Sequence, residues 1–439
     1  MIVIRIPSNN IPERRYAIRM VLGHFLGLDY QISESNSNHT ELLLDEKRII
    51  FADCFWNDEK PLNYLSKDNF PIVRSFDTEY APEGCLPALY GEGEFEKLSD
   101  GIYCPIDVFA SVFFMLTRWE EFVEKEKDKT GRFAGSNSVA YRSNFISRPI
   151  VNEYVEMVWM MMVSIGYKGG RKKGKFEIVP THDIDHPFMC GRLLRTGYYI
   201  VKNLLKFDWK STIAYIKDVL CDPYNVYDFF MDNSEKVGVK SRFYFMSADP
   251  STEVNQVSPY INGKNFSRII RKIKQRGHII GFHPGVYSLK SDDNWRKEKE
   301  RLEHETGVRV VEGRQHYLSF SVPDTFRIWE NNNMVVDSTL SYHDVEGFRC
   351  GTGNSYPVFD VLERKELKLQ ERPLIVMDAT LTGYQNYSLD KIKEVLYYYV
   401  GIGKKYRMPI TILFHNSSFV GRNGKELKKI YKELFTKLK

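Results

Sequence analysis

The chain has 439 residues, of which 43% are hydrophobic and 27% are charged, a balance that excludes disordered, collagen-like and coiled-coil proteins. Its length predicts about two to three domains, because a single hydrophobic core stops growing near ~250–300 residues. The 62 Lys and Arg residues exceed the 57 Asp and Glu residues by only +5, with no concentrated basic arm, so we expect no nucleic-acid partner.

The amino-terminal part begins with a strand pattern. MIVIRIPSNN alternates apolar and polar residues, and it lacks the basic start, apolar stretch and small-residue cleavage site of a signal peptide. We therefore expect a cytoplasmic protein. A helix is predicted around residues 12–26, followed by a strand pair near ELLLDEKRIIF.

A long helix is predicted through PIDVFASVFFMLTRWEEF, residues 105–122. Three charged residues, Arg118, Glu120 and Glu121, are expected on the more polar part of its surface. Four apolar side chains recur near helical spacing and predict a core-facing stripe: Phe109, Phe113, Leu116 and Phe122.

A second apolar segment, residues 155–167, predicts a buried helix and no transmembrane segment. It contains Glu156 and falls short of the ~20 residues that cross a bilayer. The cysteines form no C-x-x-C pair, so we expect reduced thiols, mostly buried, at Cys54, Cys85, Cys104, Cys190, Cys221 and Cys350.

The segment KGGRKKGK, residues 168–175, has the composition of an exposed connector, since it is basic, glycine-rich and without apolar residues. We place a domain boundary there. The prediction is an α+β amino-terminal domain of unknown role over residues 1–170 and a second domain over residues 176–439.

The second part alternates strand and helix patterns, which is typical of α/β proteins. Its apolar runs predict a parallel β/α barrel or a doubly wound sheet, and both place the carboxyl ends of the strands on one face. The seven runs are residues 176–181, 241–246, 278–283, 308–313, 334–339, 373–378 and 409–415.

Ionisable side chains follow five of these runs and predict a shared site. They are Asp183 and Asp185, His283, Arg314 and His316, Asp378, and His415. Asp183 and Asp185 lie two apart, so an extended chain points both carboxylates to one side, where they need a cation or a proton between them. A helix cap or a turn is the alternative role for such a pair.

The histidines of one strand are separated by their spacing. His278 and His283 are five apart and face opposite sides, so His283 at the strand end is the candidate site residue and His278 is expected to be structural. Arg314 and His316 are two apart and share a face, so both can enter one cavity.

The motifs THDID, GHIIGFHPG, EGRQHY, VVDSTL and ILFHN, in that order, resemble those of the polysaccharide deacetylase family, also called the NodB-homology or carbohydrate esterase family 4 fold. The resemblance covers roughly residues 176 to 420. It implies a distorted (β/α) barrel of about seven strands, preceded here by a smaller α+β domain. It also implies an enzyme that removes acetyl groups from N-acetylated sugars with a divalent metal.

The resemblance implies a role for each motif residue. Asp183 corresponds to the general base, Asp185 to a metal ligand, and His415 to the histidine that protonates the leaving amine. Arg314 would orient Asp183 and keep it ionised. Asp378 would hold the imidazole of His415, with a purely structural hydrogen bond as the alternative.

The second motif departs from the family pattern, in which two histidines of His-x-x-x-His bind the metal. Four residues after His283 this chain has Tyr287. We expect His316 to supply the third ligand of a zinc-like ion beside Asp185 and His283. His182, His186 and Tyr287 stay open as replacements.

The leading hypothesis is a metal-dependent amide hydrolase acting on an N-acetylated sugar or polysaccharide precursor, and a metal-free hydrolase is its variant. A glycosyltransferase with a D-x-D metal site is the first alternative, but it leaves the histidines without a role. The second is a degenerate deacetylase fold that binds glycans, with Trp56 as an exposed stacking platform. The sequence leaves the sugar and the oligomeric state undefined.

Overall fold

A computed structural model describes residues 1–56, 62–128, 130–189, 222–248, 261–421 and 423–438, together with residues 209 and 213. Its contacts divide the chain into two compact units. The first unit comprises Met1–Phe176, Phe320–Ile375 and Gly401–Ile410, and the second comprises Glu177–Ser319, Val376–Val400 and Thr411–Lys439. The division into domains near residues 170–176 remains a prediction about folding.

Strands occur in both units. In chain order they are β1 (Ile2–Pro7), β2 (Tyr30–Ser35), β3 (Thr40–Leu44), β4 (Lys47–Phe51), β5 (Arg74–Asp77), β6 (Cys85–Ala88), β7 (Glu96–Leu98), β8 (Gly101–Cys104), β9 (Glu177–Ile184), β10 (Arg242–Met246), β11 (Ile279–His283), β12 (Glu312–Gly313), β13 (Val336–Asp337), β14 (Tyr356–Asp360), β15 (Lys365–Glu371), β16 (Leu374–Met377) and β17 (Pro409–Leu413).

The described helices connect these strands. They are α1 (Ile11–Ile18), α2 (Val108–Thr117), α3 (Trp119–Val123), α4 (Val139–Arg142), α5 (Ile150–Ser164), α6 (Tyr227–Lys236), α7 (Gly263–Gln275), α8 (Asp292–Thr306), α9 (Asp324–Asn331), α10 (Leu389–Tyr406) and α11 (Gly424–Leu438). Among the described residues, every helix is too short or too polar to span a bilayer.

The first unit contains a six-stranded sheet with the order β2-β1-β3-β4-β8-β7. The predicted strand pair is confirmed, because β3 and β4 pair antiparallel across the turn at residues 45 and 46. The predicted first helix is also present: α1 continues as a π-helical segment, Arg19–Phe25.

The predicted long helix is interrupted, and its charged residues are buried. Arg118 has a φ of 53°, which ends α2 and separates it from α3. The expectation that Arg118, Glu120 and Glu121 lie at the surface was wrong, because they are 0%, 1% and 2% exposed. Arg118 Nε donates to Glu121 Oε1 at 2.9 Å, and Arg349 Nε donates to the same oxygen at 2.8 Å. Burial is possible because the charges neutralise one another.

The second unit builds its sheet from parallel strands. Six strands that lie wholly or partly in this unit follow the order β12-β11-β10-β9-β17-β16. The pairs β9 with β10, β10 with β11, and β11 with β12 are parallel, and the register places Tyr244 opposite Asp183 and Met246 opposite His283. Parallel pairing therefore brings the carboxyl ends of these strands to one edge.

All seven apolar runs predicted from the sequence contain a strand. The expected sheet of about seven strands is not confirmed, because the described residues of this mixed α/β fold form sheets of six, nine and two strands. The prediction missed β14 and β15, an antiparallel pair within the first unit. The sequence of β15, KELKLQE, alternates charged and apolar residues, so it contains no apolar run.

Side-chain alternation along β9 decides which residues face the site. Thr181 and Asp183 point to one side, where both contact Arg314. His182 points to the other side and stacks on Phe230 of α6, with ring centroids 3.6 Å apart. Successive residues of this buried strand therefore face opposite sides, one toward the candidate site and the other toward helix α6.

Candidate active site

A buried ion pair joins β9 to the residue that follows β12. Arg314 Nη1 donates to Asp183 Oδ1 at 2.8 Å and to Thr181 Oγ1 at 2.9 Å. Arg314 is 0% exposed, and its guanidinium carbon lies 5.2 Å from the centroid of the Tyr244 ring. These contacts fix one carboxylate oxygen of Asp183 and direct the other, Oδ2, toward His283 Nε2 at 4.0 Å.

Asp185, His283 and His316 form the one group of potential metal ligands found among the described residues, with ligand atoms within 4.8 Å of one another. His283 Nε2 lies 3.2 Å from Asp185 Oδ1, and His316 Nε2 lies 3.9 Å from the same oxygen. The two imidazole centroids are 5.1 Å apart. One carboxylate and two imidazoles therefore converge from the ends of β9, β11 and β12.

The ligand group has the electrostatics of a cation site. Burial opposes protonation of His283, but the neighbouring carboxylates of Asp183 and Asp185 raise its pKa above the ordinary value. Burial likewise opposes ionisation of Asp185, yet His283, His316 and His415 hold the pKa of Asp185 well below its usual range. Each side of the group thus favours the charged form of the other.

The donor set fits a zinc-like ion. His283 Nδ1 donates to the Arg314 carbonyl oxygen at 2.6 Å, which sets the tautomer and leaves Nε2 as the ligand atom. His283 Nε2 and Asp185 Oδ1 are both buried and face each other at 3.2 Å without an aligned hydrogen bond, and neither atom has another hydrogen-bond partner among the described residues. Two imidazole nitrogens and one carboxylate oxygen match the ligands of catalytic zinc, which keeps a further position open.

His415 forms a second pair with Asp378. His415 Nδ1 lies 2.8 Å from Asp378 Oδ1, and the His415 backbone N–H donates to Asp378 Oδ2 at 2.7 Å. Asp378 is fully buried and His415 is 18% exposed. Burial alone would lower the pKa of His415, but Asp378 chiefly raises it to about 10. The imidazolium is therefore the stable form at neutral pH.

The other candidate ligands lie outside the group. His182 Nδ1 donates to the Phe414 carbonyl oxygen at 2.9 Å, and burial lowers the pKa of His182 to about 3. Tyr287 is 42% exposed on a 3-10 turn, Val286–Lys290, and the Lys290 Nζ lies 5.4 Å from the centroid of its ring. His186 is not part of the ligand group.

His278 has the hydrogen bonds expected of a structural histidine. Its Nδ1 accepts from the Ser241 N–H, and its Nε2 lies 3.0 Å from Glu235 Oε1.

Several supporting residues were not singled out from the sequence. Thr181 contacts Arg314, and the Ser418 hydroxyl donates to Asp378 Oδ2. Gln315 Nε2 donates to the carbonyl oxygens of Pro284 and Gly285 at 3.1 and 2.7 Å, which ties the loop after β11 to the residues after β12. Gln315 and Ser418 lie within one to three residues of Arg314 and His415, and that adjacency was the available signal.

Comparisons with known proteins give limited matches. Residues 2–166 match a family described as a family of unknown function, DUF7033. Among curated proteins, no sequence matches this chain.

Solved structures with similarity to this chain include three deacetylase-related proteins. A candidate polysaccharide deacetylase from Mycobacterium smegmatis has 16% identity and a TM-score of 0.39, covering 60% of this chain and 85% of its own. The Bc1960 peptidoglycan N-acetylglucosamine deacetylase has 14% identity and a TM-score of 0.32, covering 61% and 82%. The BA3943 mutant, a CE4 family pseudoenzyme with restored activity, has 11% identity and a TM-score of 0.30, covering 61% and 64%. Similarities at this level carry no argument for this chain.

Proposed function

We propose that the protein is a metal-dependent amide hydrolase that removes N-acetyl groups from a sugar or polysaccharide precursor. The observation that carries this proposal is the convergence of three groups at one sheet edge: the ligand group, the Asp183–Arg314 pair and the Asp378–His415 pair. These groups supply a cation site, a base and an acid. The family resemblance of the sequence motifs assigns the same roles.

The metal would be held by Asp185, His283 and His316. A divalent ion supplies Lewis acidity, which polarises the amide carbonyl and acidifies water. Nitrogen and oxygen ligands suit zinc, and other first-row divalent ions bind such a set as well. We propose zinc as the resident metal.

Asp183 acts as the general base in this proposal. Its Oδ1 is held by Arg314, so Oδ2 is the oxygen available to accept the proton of the attacking water. Arg314 is a positioning residue, because it fixes the carboxylate and is itself 0% exposed. A positioned base of this kind contributes about 10²–10⁴-fold to the rate.

His415 acts as the general acid. Its Nδ1 faces Asp378, so Nε2–H is the proton that can pass to the departing nitrogen. The pKa of about 10 keeps that proton in place until the C–N bond breaks. Asp378 sets the orientation and charge of the imidazole.

The alternatives explain fewer residues. A glycosyltransferase with a D-x-D site gives no role to His283, His316 and His415, which lie beside the two aspartates. The glycan-binding hypothesis was motivated by the missing second histidine and the unfamiliar first 170 residues. Its candidate stacking platform, Trp56, was wrong, because Trp56 is 2% exposed and packs against Arg14. A carbohydrate substrate, a cytoplasmic location and the domain boundary near residue 170 stay proposals.

The test is acetate release from N-acetylated chitooligosaccharides and peptidoglycan fragments. We expect Asp183→Asn to reduce kcat by about 10²–10⁴-fold, since the amide keeps the shape but cannot accept the proton. Asp228→Asn is the matched control, because Asp228 is exposed and its partners among the described residues are the surface cations Lys272 and Arg276. Full activity of Asp183→Asn on a substrate that the wild type hydrolyses would remove Asp183 from the mechanism.

A further inference from the structure

A polar pocket of about 160 Å³ lies within the first unit, apart from the candidate active site. We call it the connector pocket, because four of its residues belong to the basic segment 168–175. Its polar side chains include Asn152 and Glu156 of α5, Arg171, Lys172 and Lys173 of the connector, and Arg407.

The connector pocket concentrates positive charge. Four cationic side chains line it together with a single carboxylate, Glu156, although the whole chain has a net charge of only +5. Arg171 Nη2 donates to Glu156 Oε2 at 2.8 Å, and its guanidinium lies 4.8 Å from the Trp159 ring centroid. Arg171 and Glu156 neutralise each other, so Lys172, Lys173 and Arg407 leave the pocket with a net positive charge, which favours an anion.

Asn152 supplies a second, independent observation. It is 8% exposed, and its Oδ1 is buried without a hydrogen-bond partner. Asn152, Val155 and Glu156 line the pocket from one face of α5, as the spacing i, i+3, i+4 requires. Buried amide oxygens are normally hydrogen-bonded, so this acceptor calls for a donor group of a ligand, such as the P–OH of hydrogen phosphate.

The connector is anchored against the first unit at this point. The Lys172 N–H donates to the Leu26 carbonyl oxygen at 2.7 Å, and Lys172 Nζ donates to the His24 carbonyl oxygen at 3.2 Å. A Cβ on Gly174 would lie 2.2 Å from the Arg407 carbonyl oxygen, so glycine permits this close packing. The connector backbone is therefore fixed beside the pocket before any ligand binds, which lowers the entropic cost of binding.

We propose that the connector pocket binds a phosphate-sized oxyanion, either inorganic phosphate or the phosphate group of a small molecule. Guanidinium, ammonium and amide donors are the groups that recognise phosphate oxygens. A pocket of about 160 Å³ has room for the phosphate and for a small group attached to it. This proposal is independent of the proposed hydrolase activity, because all of its residues belong to the first unit.

The test is isothermal titration calorimetry of the full chain with inorganic phosphate at constant ionic strength. Sulfate, chloride and glucose 1-phosphate are titrated in parallel. We expect saturable binding at one site. Arg407→Gln and Lys173→Gln should each weaken it about tenfold, through loss of a charge-assisted contact. Arg309→Gln, the same charge change at an exposed arginine of the second unit, should leave the affinity unchanged.

Asn152→Asp keeps the shape of the side chain and adds a negative charge, so we expect it to abolish binding while the circular dichroism spectrum stays that of the wild type. Binding of glucose 1-phosphate alone would identify an organic phosphate as the ligand, and binding of both would show that the phosphate group suffices. If neither inorganic phosphate nor glucose 1-phosphate binds more tightly than chloride, or if Arg309→Gln and Arg407→Gln weaken binding equally, the proposal is overturned.

Discussion

Asp378 determines which proton His415 can offer. The carboxylate accepts the Nδ1–H, and its charge raises the pKa of His415 to about 10 despite the burial that opposes protonation. At the residue scale, each acid–base or ligand role proposed here depends on neighbours of opposite charge. The same dependence links Asp183 to Arg314 and Asp185 to the two histidines.

Asp378→Asn should move the alkaline limb of the activity profile to lower pH. Without the carboxylate the pKa of His415 falls toward about 6.5 or below, so the imidazolium is lost near neutrality and not near pH 10. The pH dependence of kcat/KM and the ring proton shifts of His415 measure this change. Ser418→Ala, which removes only a hydroxyl contact to Asp378, is the control. If the alkaline limb of Asp378→Asn matched that of the wild type, Asp378 would not set the pKa of the general acid.

His316→Ala should remove the bound metal. Loss of a residue that only hydrogen-bonds a metal ligand weakens metal binding by about 10–100-fold. We expect loss of the ligand itself to weaken metal binding by more than that. Elemental analysis after dialysis, with the wild type and Asp185→Ala in parallel, gives the stoichiometry. Tyr287→Phe should keep the metal, because Tyr287 is 42% exposed. Wild-type protein that stays empty after incubation with zinc, cobalt or nickel would exclude the proposed metal site.

At the scale of the element, alternation along β9 separates chemistry from packing. Asp183 faces Arg314, and the adjacent His182 faces the aromatic side chains of α6 and α11. His182 is held neutral there, since burial lowers its pKa to about 3. A histidine that cannot accept a proton in the folded state makes stability depend on pH.

The pH dependence of unfolding tests the burial of His182. Below about pH 6.5 the unfolded chain protonates this histidine and the folded chain does not, so stability is present above that pH and is lost as the pH falls toward 3. We expect His182 to account for about 2 kcal/mol of the stability lost between pH 7.5 and pH 5.

Urea unfolding at the two pH values should therefore show a smaller loss for His182→Gln than for the wild type. His304→Gln, at a side chain that is 85% exposed, should retain the wild-type pH dependence. Equal losses in all three proteins would mean that His182 is protonated in the folded state.

At the scale of the whole molecule, chain order and spatial order differ. The first unit combines residues 1–176 with two later stretches, 320–375 and 401–410. Within this unit, Arg349 binds Glu121, and the Glu121 pKa is held at about 2 by Arg349 and Arg118 although burial opposes ionisation. The expected amino-terminal domain, residues 1–170, would lack Arg349.

Arg349→Met should destabilise the protein by about 3–5 kcal/mol, because it leaves the buried Glu121 partly uncompensated. The double variant Arg349→Met with Glu121→Gln should recover part of that loss. Urea unfolding at neutral pH measures both, and Arg296→Met, which breaks an exposed ion pair, should cost less than about 1 kcal/mol. A loss for Arg349→Met as small as that of Arg296→Met would show that the cluster does not stabilise the fold.

The sequence by itself determined the seven strand runs and the ionisable residues at their ends. Apolar runs record burial directly, and parallel strands place their carboxyl ends together, so Asp183, His283 and Arg314 could be grouped without coordinates. Their chemical roles stay proposals.

Only the tertiary structure decided which charged and aromatic side chains of the first unit are buried. Glu121 and Arg349 are 228 positions apart in the chain, and Trp56 lies in a polar stretch, yet all three are buried. The sequence segment around Glu121 contains polar neighbours but not Arg349, because the compensating charge belongs to a distant segment of the chain. Burial of such residues depends on partners that only the folded chain brings together.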